Sequence, residues 1–156
     1  MKKKILGLLI MAITFTAYGK NETTALSEEP KLIAVVNRAD WCLVCRQNQE
    51  RFSNLLGSYV AKGIKIYVND LTNDSTKANS KAELQKAGLY DAVTTTPRKG
   101  AGKVLQACGL AKGKKVAGVS GIVTFINPDN FKPVGQTSIA DSDVEMKTLI
   151  DNLLIK

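Results

Sequence analysis

Five consecutive apolar residues, Leu32 to Val36, run through a short polar turn into Trp41-Cys42-Leu43-Val44-Cys45-Arg46. An apolar run without alternation reads as a strand buried on both faces, as in a central parallel strand. Two thiols then fall two residues apart where a helix should begin. The free backbone N–H groups and positive dipole end at a helix N-terminus favour a thiolate and lower the pKa of a cysteine placed there. The second thiol lies within one turn of the first, so it is within reach of a mixed disulfide formed on the first. Strand, Trp-Cys-x-x-Cys and helix together suit thiol–disulfide chemistry.

Other uses of a Cys-x-x-Cys pair compete with this one. Structural zinc takes four Cys or His ligands, and this chain has no His and three Cys in all. An iron–sulfur cluster fails by the same count unless a partner supplies ligands. A purely structural disulfide stays open, although so short a loop removes little unfolded-state entropy.

The segment Ala39-Asp40-Trp41-Cys42-Leu43-Val44-Cys45-Arg46 resembles the active-site segment of thioredoxin-like thiol–disulfide oxidoreductases. It is most like that of periplasmic members, among them the exported domain of the transmembrane disulfide reductase. The resemblance extends more loosely over residues 31–156. It implies an α/β, thioredoxin-like fold: a central mixed β-sheet flanked by helices, with an insertion before the C-terminal hairpin. It also implies Cys42 as nucleophile and Cys45 as the resolving thiol, the two forming a disulfide when oxidised. Trp41 would pack beside the pair and restrict access, and Arg46 and Arg38 would favour the thiolate or remain solvated charges. Reductase or isomerase duty on protein disulfides follows, with no cofactor beyond the dithiol, no metal, and a membrane-embedded electron donor as a partner. The alternative is a binding module on the same scaffold, with Cys42–Cys45 as a structural staple.

The family pattern breaks at two positions. Many relatives carry a cis-proline in Gly-x-Pro-Thr facing the cysteine pair; here Gly121, Ile122 and Thr124 fit, but Val123 stands at the proline position. Many thioredoxins bury an acid six residues before the first cysteine, where this chain has Val36. Asp40 and solvent are left as proton acceptors.

Met1-Lys-Lys-Lys4 followed by an apolar run to about Ala17 and by Ala17-Tyr18-Gly19 reads as a signal peptide cleaved after Gly19. The run is short for a membrane span, which needs about 20 residues. Loss of residues 1–19 takes the formal charge from +8 to +5. Scattered lysines, few aromatics and export argue against a nucleic-acid partner. The expected location is the periplasm or the medium, an oxidising compartment. Residues 20–30 read as a polar, flexible lead-in, and residues 31–156 as one domain.

Along that domain, Phe52, Leu55, Leu56, Tyr59 and Val60 recur at helical spacing, predicting a helix from about Cys42 to Lys62 that stops at Gly63. Ile64, Ile66 and Val68 alternate as a second strand. Ser80 and Glu83 form a capping box for a short helix closing at Gly88. The stretch from Thr94 to Gly118 reads as an exposed insertion, helical only at Val104 to Ala111. It contains Cys108, read as a small buried residue or a reactive thiol. Gly100-Ala-Gly-Lys103 lacks the spacing of a phosphate loop. Gly121 to Ile126 and Pro133 to Ile139 predict an antiparallel hairpin. Asp141 or Ser142 then caps a last helix whose Val144, Leu149, Ile150, Leu153 and Leu154 face the sheet.

Overall fold

The computed structural model describes residues 29–95 and 119–155. The expected signal peptide, most of the lead-in, and nearly all of the 94–118 stretch with Cys108 lie outside the described residues.

The first strand, β1 (Leu32–Arg38), is the spine of a four-stranded sheet. It pairs in parallel with β2 (Ile64–Asp70) on one side and antiparallel with β3 (Ile122–Ile126) on the other. β3 continues antiparallel to β4 (Pro133–Ser138), giving the order β2-β1-β3-β4. Helices α1 (Leu43–Gly57), α2 (Asp74–Lys86), α3 (Tyr90–Thr95) and α4 (Asp143–Leu154) complete the described elements, with a 3-10 turn at Val60–Lys62. This is a central mixed sheet flanked by helices, the architecture that the resemblance implies.

The apolar run of β1 explains the two-layered core. Leu32, Ala34 and Val36 point to one face, where they pack with Phe52, Leu55 and Leu56 of α1 and Met146 and Ile150 of α4. Ile33 and Val35 point to the other, against Leu84 of α2 and Leu89, Ala92 and Val93 at α3. A strand covered on both sides has no solvent face to fill with polar residues, hence the unbroken run. β2 lies at the sheet edge, so its alternation decays to an exposed Val68.

Several expectations change. The first helix stops at Gly57 rather than Lys62. The Ser58 hydroxyl donates to the Leu55 carbonyl at 2.6 Å, and the chain tightens into the 3-10 turn, which ends at Gly63 with φ +97°. Val60 therefore leaves the apolar stripe and is 53% exposed. The second helix starts seven residues before Ser80: Asn73 caps the Thr76 N–H at 3.0 Å and Thr76 accepts in return from the Asn73 N–H. Ser80 is instead buried within α2, where its hydroxyl accepts from the Asp70 N–H at 3.0 Å. α3 was not foreseen. In α4, Ser142 and Glu145 make a reciprocal cap. Met146 faces the core while Val144, in the first turn, is 73% exposed.

Candidate functional site

Cys42 is the N-cap residue of α1, in extended conformation, and its Sγ accepts from the Cys45 N–H at 3.3 Å. The turn that delivers it is closed by the Cys42 N–H donating to the Ala39 carbonyl at 3.1 Å. With no aspartate, asparagine, serine or threonine at this position, the sulfur itself serves an orphan N–H of the helix start, and a thiolate serves it better than a thiol. Cys42 is half-buried and Cys45 is buried.

The two thiols are pushed apart electrostatically. For Cys42, burial opposes ionisation. Hydrogen bonds from the Cys45 thiol, the Ser120 hydroxyl and the backbone N–H groups of Cys45 and Val44 outweigh it and hold the group below the ordinary thiol value. For Cys45, burial and the hydrogen bond it gives to Cys42 raise it above that value.

Facing the pair is the segment Val119–Ser120–Gly121. Gly121 has φ +81°, a left-handed conformation open to glycine. A Cβ there would lie 3.9 Å from the Cys45 Sγ and 4.0 Å from the Cys42 Sγ, so the backbone stands directly over both sulfurs. The Gly121 N–H donates to the Asn37 carbonyl at 2.7 Å, and its carbonyl accepts from the Ile139 N–H at 3.0 Å. Arg51 of α1 binds the Ile139 carbonyl at 2.6 Å and also pairs with Asp143, tying α1 and α4 to the same corner.

The expected supporting residues fall around this centre with different surroundings. Trp41 is 60% exposed beside Cys42, and its indole N–H donates to the Leu71 carbonyl at 3.2 Å. Asp40 pairs with Arg38 at 2.5 Å, and its own N–H donates to the Thr72 hydroxyl oxygen. Asp40 and Cys45 line one apolar pocket of about 200 Å³, walled by Val36, Phe52, Leu56 and Ile66. Arg46 also lines that pocket and makes no ion pair among the described residues. Val123 is fully buried in β3 opposite Val36, in the same core cluster as Cys45, and no peptide bond among the described residues is cis. Val36 offers the dithiol an apolar wall where a carboxylate was sought.

Sequence reasoning missed Ser120, Asn37 and Asn69. The signal available was an Asn directly after the apolar run of β1, with a second Asn at the register-matched position of β2. Among the described residues there is no group of three or more His, Cys, Asp or Glu arranged to hold a metal ion. No helix among them is long and apolar enough to cross a membrane.

No family model matches the sequence, and no curated protein matches it either. Solved structures similar to this one include the thioredoxin Mala s 13 of Malassezia sympodialis, at 11% identity over 83% of this chain and 82% of that one, with a TM-score of 0.42. StoA from Bacillus subtilis is 10% identical over 80% of this chain and 86% of its own, at 0.41. A secreted disulfide oxidoreductase of Mycobacterium tuberculosis is 11% identical over 81% and 85%, at 0.40. Likenesses this distant carry no argument about chemistry, which rests on the site itself.

Proposed function

We propose that this chain is an exported thiol–disulfide oxidoreductase that reduces or isomerises protein disulfides through Cys42 and Cys45. The carrying observation is the asymmetry of the pair: one half-buried sulfur bonded by helix-start N–H groups, one buried sulfur held protonated beside it.

In the proposed cycle the Cys42 thiolate attacks one sulfur of a substrate disulfide. That S–S bond breaks, a Cys42–substrate mixed disulfide forms, and the departing substrate sulfur takes up a proton. Cys45 then loses its proton to solvent and attacks the Cys42 sulfur. The substrate leaves as its second thiol, and Cys42–Cys45 holds the disulfide. Two electrons have passed from the dithiol to the substrate. A reductant must return them, and a membrane-embedded dithiol donor is the proposed source. Trp41, Leu43 and Val44, exposed around Cys42, offer the apolar surface on which an unfolded or misfolded substrate would dock. A mere staple has no use for a stabilised thiolate at a helix start.

The test is trapping. Cys45→Ser cannot resolve the mixed disulfide, so it should accumulate covalent adducts with disulfide-containing proteins that dithiol reductant releases. Cys42→Ser should form none. Equal labelling of both variants, or of neither, would refute the assignment.

A further inference from the structure

We propose that Asn37, oriented by Asn69, is a positioning residue that holds the Val119–Ser120–Gly121 segment against the Cys42–Cys45 pair. The inference rests on the exchange reading above and adds to it the device that aims the loop.

Asn37 and Asn69 are 1% and 4% exposed, at matching positions of the parallel strands β1 and β2. An amide pair buried so deeply must be satisfied internally, and these two are. The Asn69 Nδ2 donates to the Asn37 Oδ1 at 2.9 Å. With its oxygen engaged there, the Asn37 amide presents its nitrogen to the Val119 carbonyl, at 3.1 Å. The backbone carbonyl of the same residue receives the Gly121 N–H at 2.7 Å. One residue thus grips the peptide groups on both sides of Ser120: the side chain holds the carbonyl before it and the main chain holds the N–H after it. Ser120 is left with little freedom beside Gly121, whose backbone stands over both sulfurs, and its hydroxyl favours the thiolate of Cys42 and pulls in the same direction on Cys45. Asn suits the task because its amide both accepts and donates; Asp would meet the Val119 carbonyl with a second acceptor. The charged side chains near the pair, Arg38, Asp40 and Arg46, line the pocket beside Cys45 and are left unchanged by the variants below.

The experiment follows the alkylation rate of Cys42 against pH in reduced protein, for the wild type, Ser120→Ala, Asn37→Leu and the double variant. Ser120→Ala should make Cys42 about a tenfold weaker acid. Asn37→Leu should produce most of the same change, and the double variant little more than either, since both remove one interaction. A role in folding alone would lower stability and leave the Cys42 titration as in the wild type. That result, or shifts that add in full, would overturn the proposal. If Asn37→Leu does not fold, the wild type still decides: the Asn37 side-chain amide resonance should move with the ionisation of Cys42, and an amide that ignores it would overturn the proposal equally. Failure of the exchange reading looks different, because the wild type itself would then show an ordinary Cys42 titration and no dithiol exchange.

Discussion

The Sγ of Cys42 lies 3.3 Å from the backbone nitrogen of Cys45, so the first thiol of the pair caps the helix that carries the second. The same four residues therefore set both partners' chemistry. Ionising Cys42 strengthens the cap and gives the helix dipole a counter-charge. Cys45, a turn inside α1, is buried, and burial together with the hydrogen bond it gives to Cys42 keeps its proton on.

This predicts a pH signature. An unfolded thiol ionises at about pH 8.5. The folded Cys42 value is lower, so between the two the unfolded chain binds more protons and the stability of the reduced protein rises with pH. That contribution is fully present above about 8.5 and is lost as pH falls through the folded value. Cys45 acts with the opposite sign. Above about 8.5 its unfolded form ionises first, so stability falls as pH rises further. Urea unfolding of the reduced wild type, Cys42→Ala and Cys45→Ala across neutral and alkaline pH separates the two. The rising limb should vanish with Cys42 and the falling limb with Cys45.

Gly121 should tolerate no side chain without cost. Its φ of +81° is expensive for any L-residue, whereas the space above the sulfurs would just admit a methyl group. Gly121→Ala should therefore cost about 1–2 kcal/mol in stability from backbone strain. It should also slow attack by Cys42, because the new Cβ stands in van der Waals contact with both sulfurs. Denaturant midpoints and single-turnover reduction of a small disulfide measure the two effects.

The start of α2 gives a test of local structure. Asn73→Ala removes a cap and should cost about 1 kcal/mol. Ser80→Ala should cost at least as much, about 1–3 kcal/mol, because it strands the half-buried Asp70 N–H rather than a helix end. Were Ser80 the cap, Asn73→Ala would be nearly silent in urea unfolding.

These contrasts also show what could be read from the chain. β1 was legible because burial on both faces leaves an unbroken apolar run, and the place of the Cys-x-x-Cys was legible because the helix starts where that run and its polar turn end, with Cys42 as N-cap. The cap of α2 was misplaced because Ser80-x-x-Glu83 and Asn73-x-x-Thr76 are both capping patterns locally; only the position of the Asp70 N–H distinguishes them. Val60 and Val144 were assigned inward by extending a helical period past a break and into a first turn, where the stripe no longer applies. Asn37 was invisible for another reason. Its partners lie 32 and 82 residues away, and nothing local marks a polar strand end as the anchor of a distant loop.

The central claim is that Cys42 and Cys45 form a reversible two-electron couple, and a redox titration tests it most directly. The purified protein is equilibrated in glutathione or dithiol buffers of graded potential, and the single tryptophan, Trp41, adjacent to Cys42, reports the state of the pair. The Leu43-Val44 dipeptide brings no cation to the reduced form. One two-electron transition is predicted, with a midpoint nearer about −270 mV than about −120 mV, and two thiols appearing together. A pair that does not exchange with the buffer, or thiols that appear singly, would contradict the account.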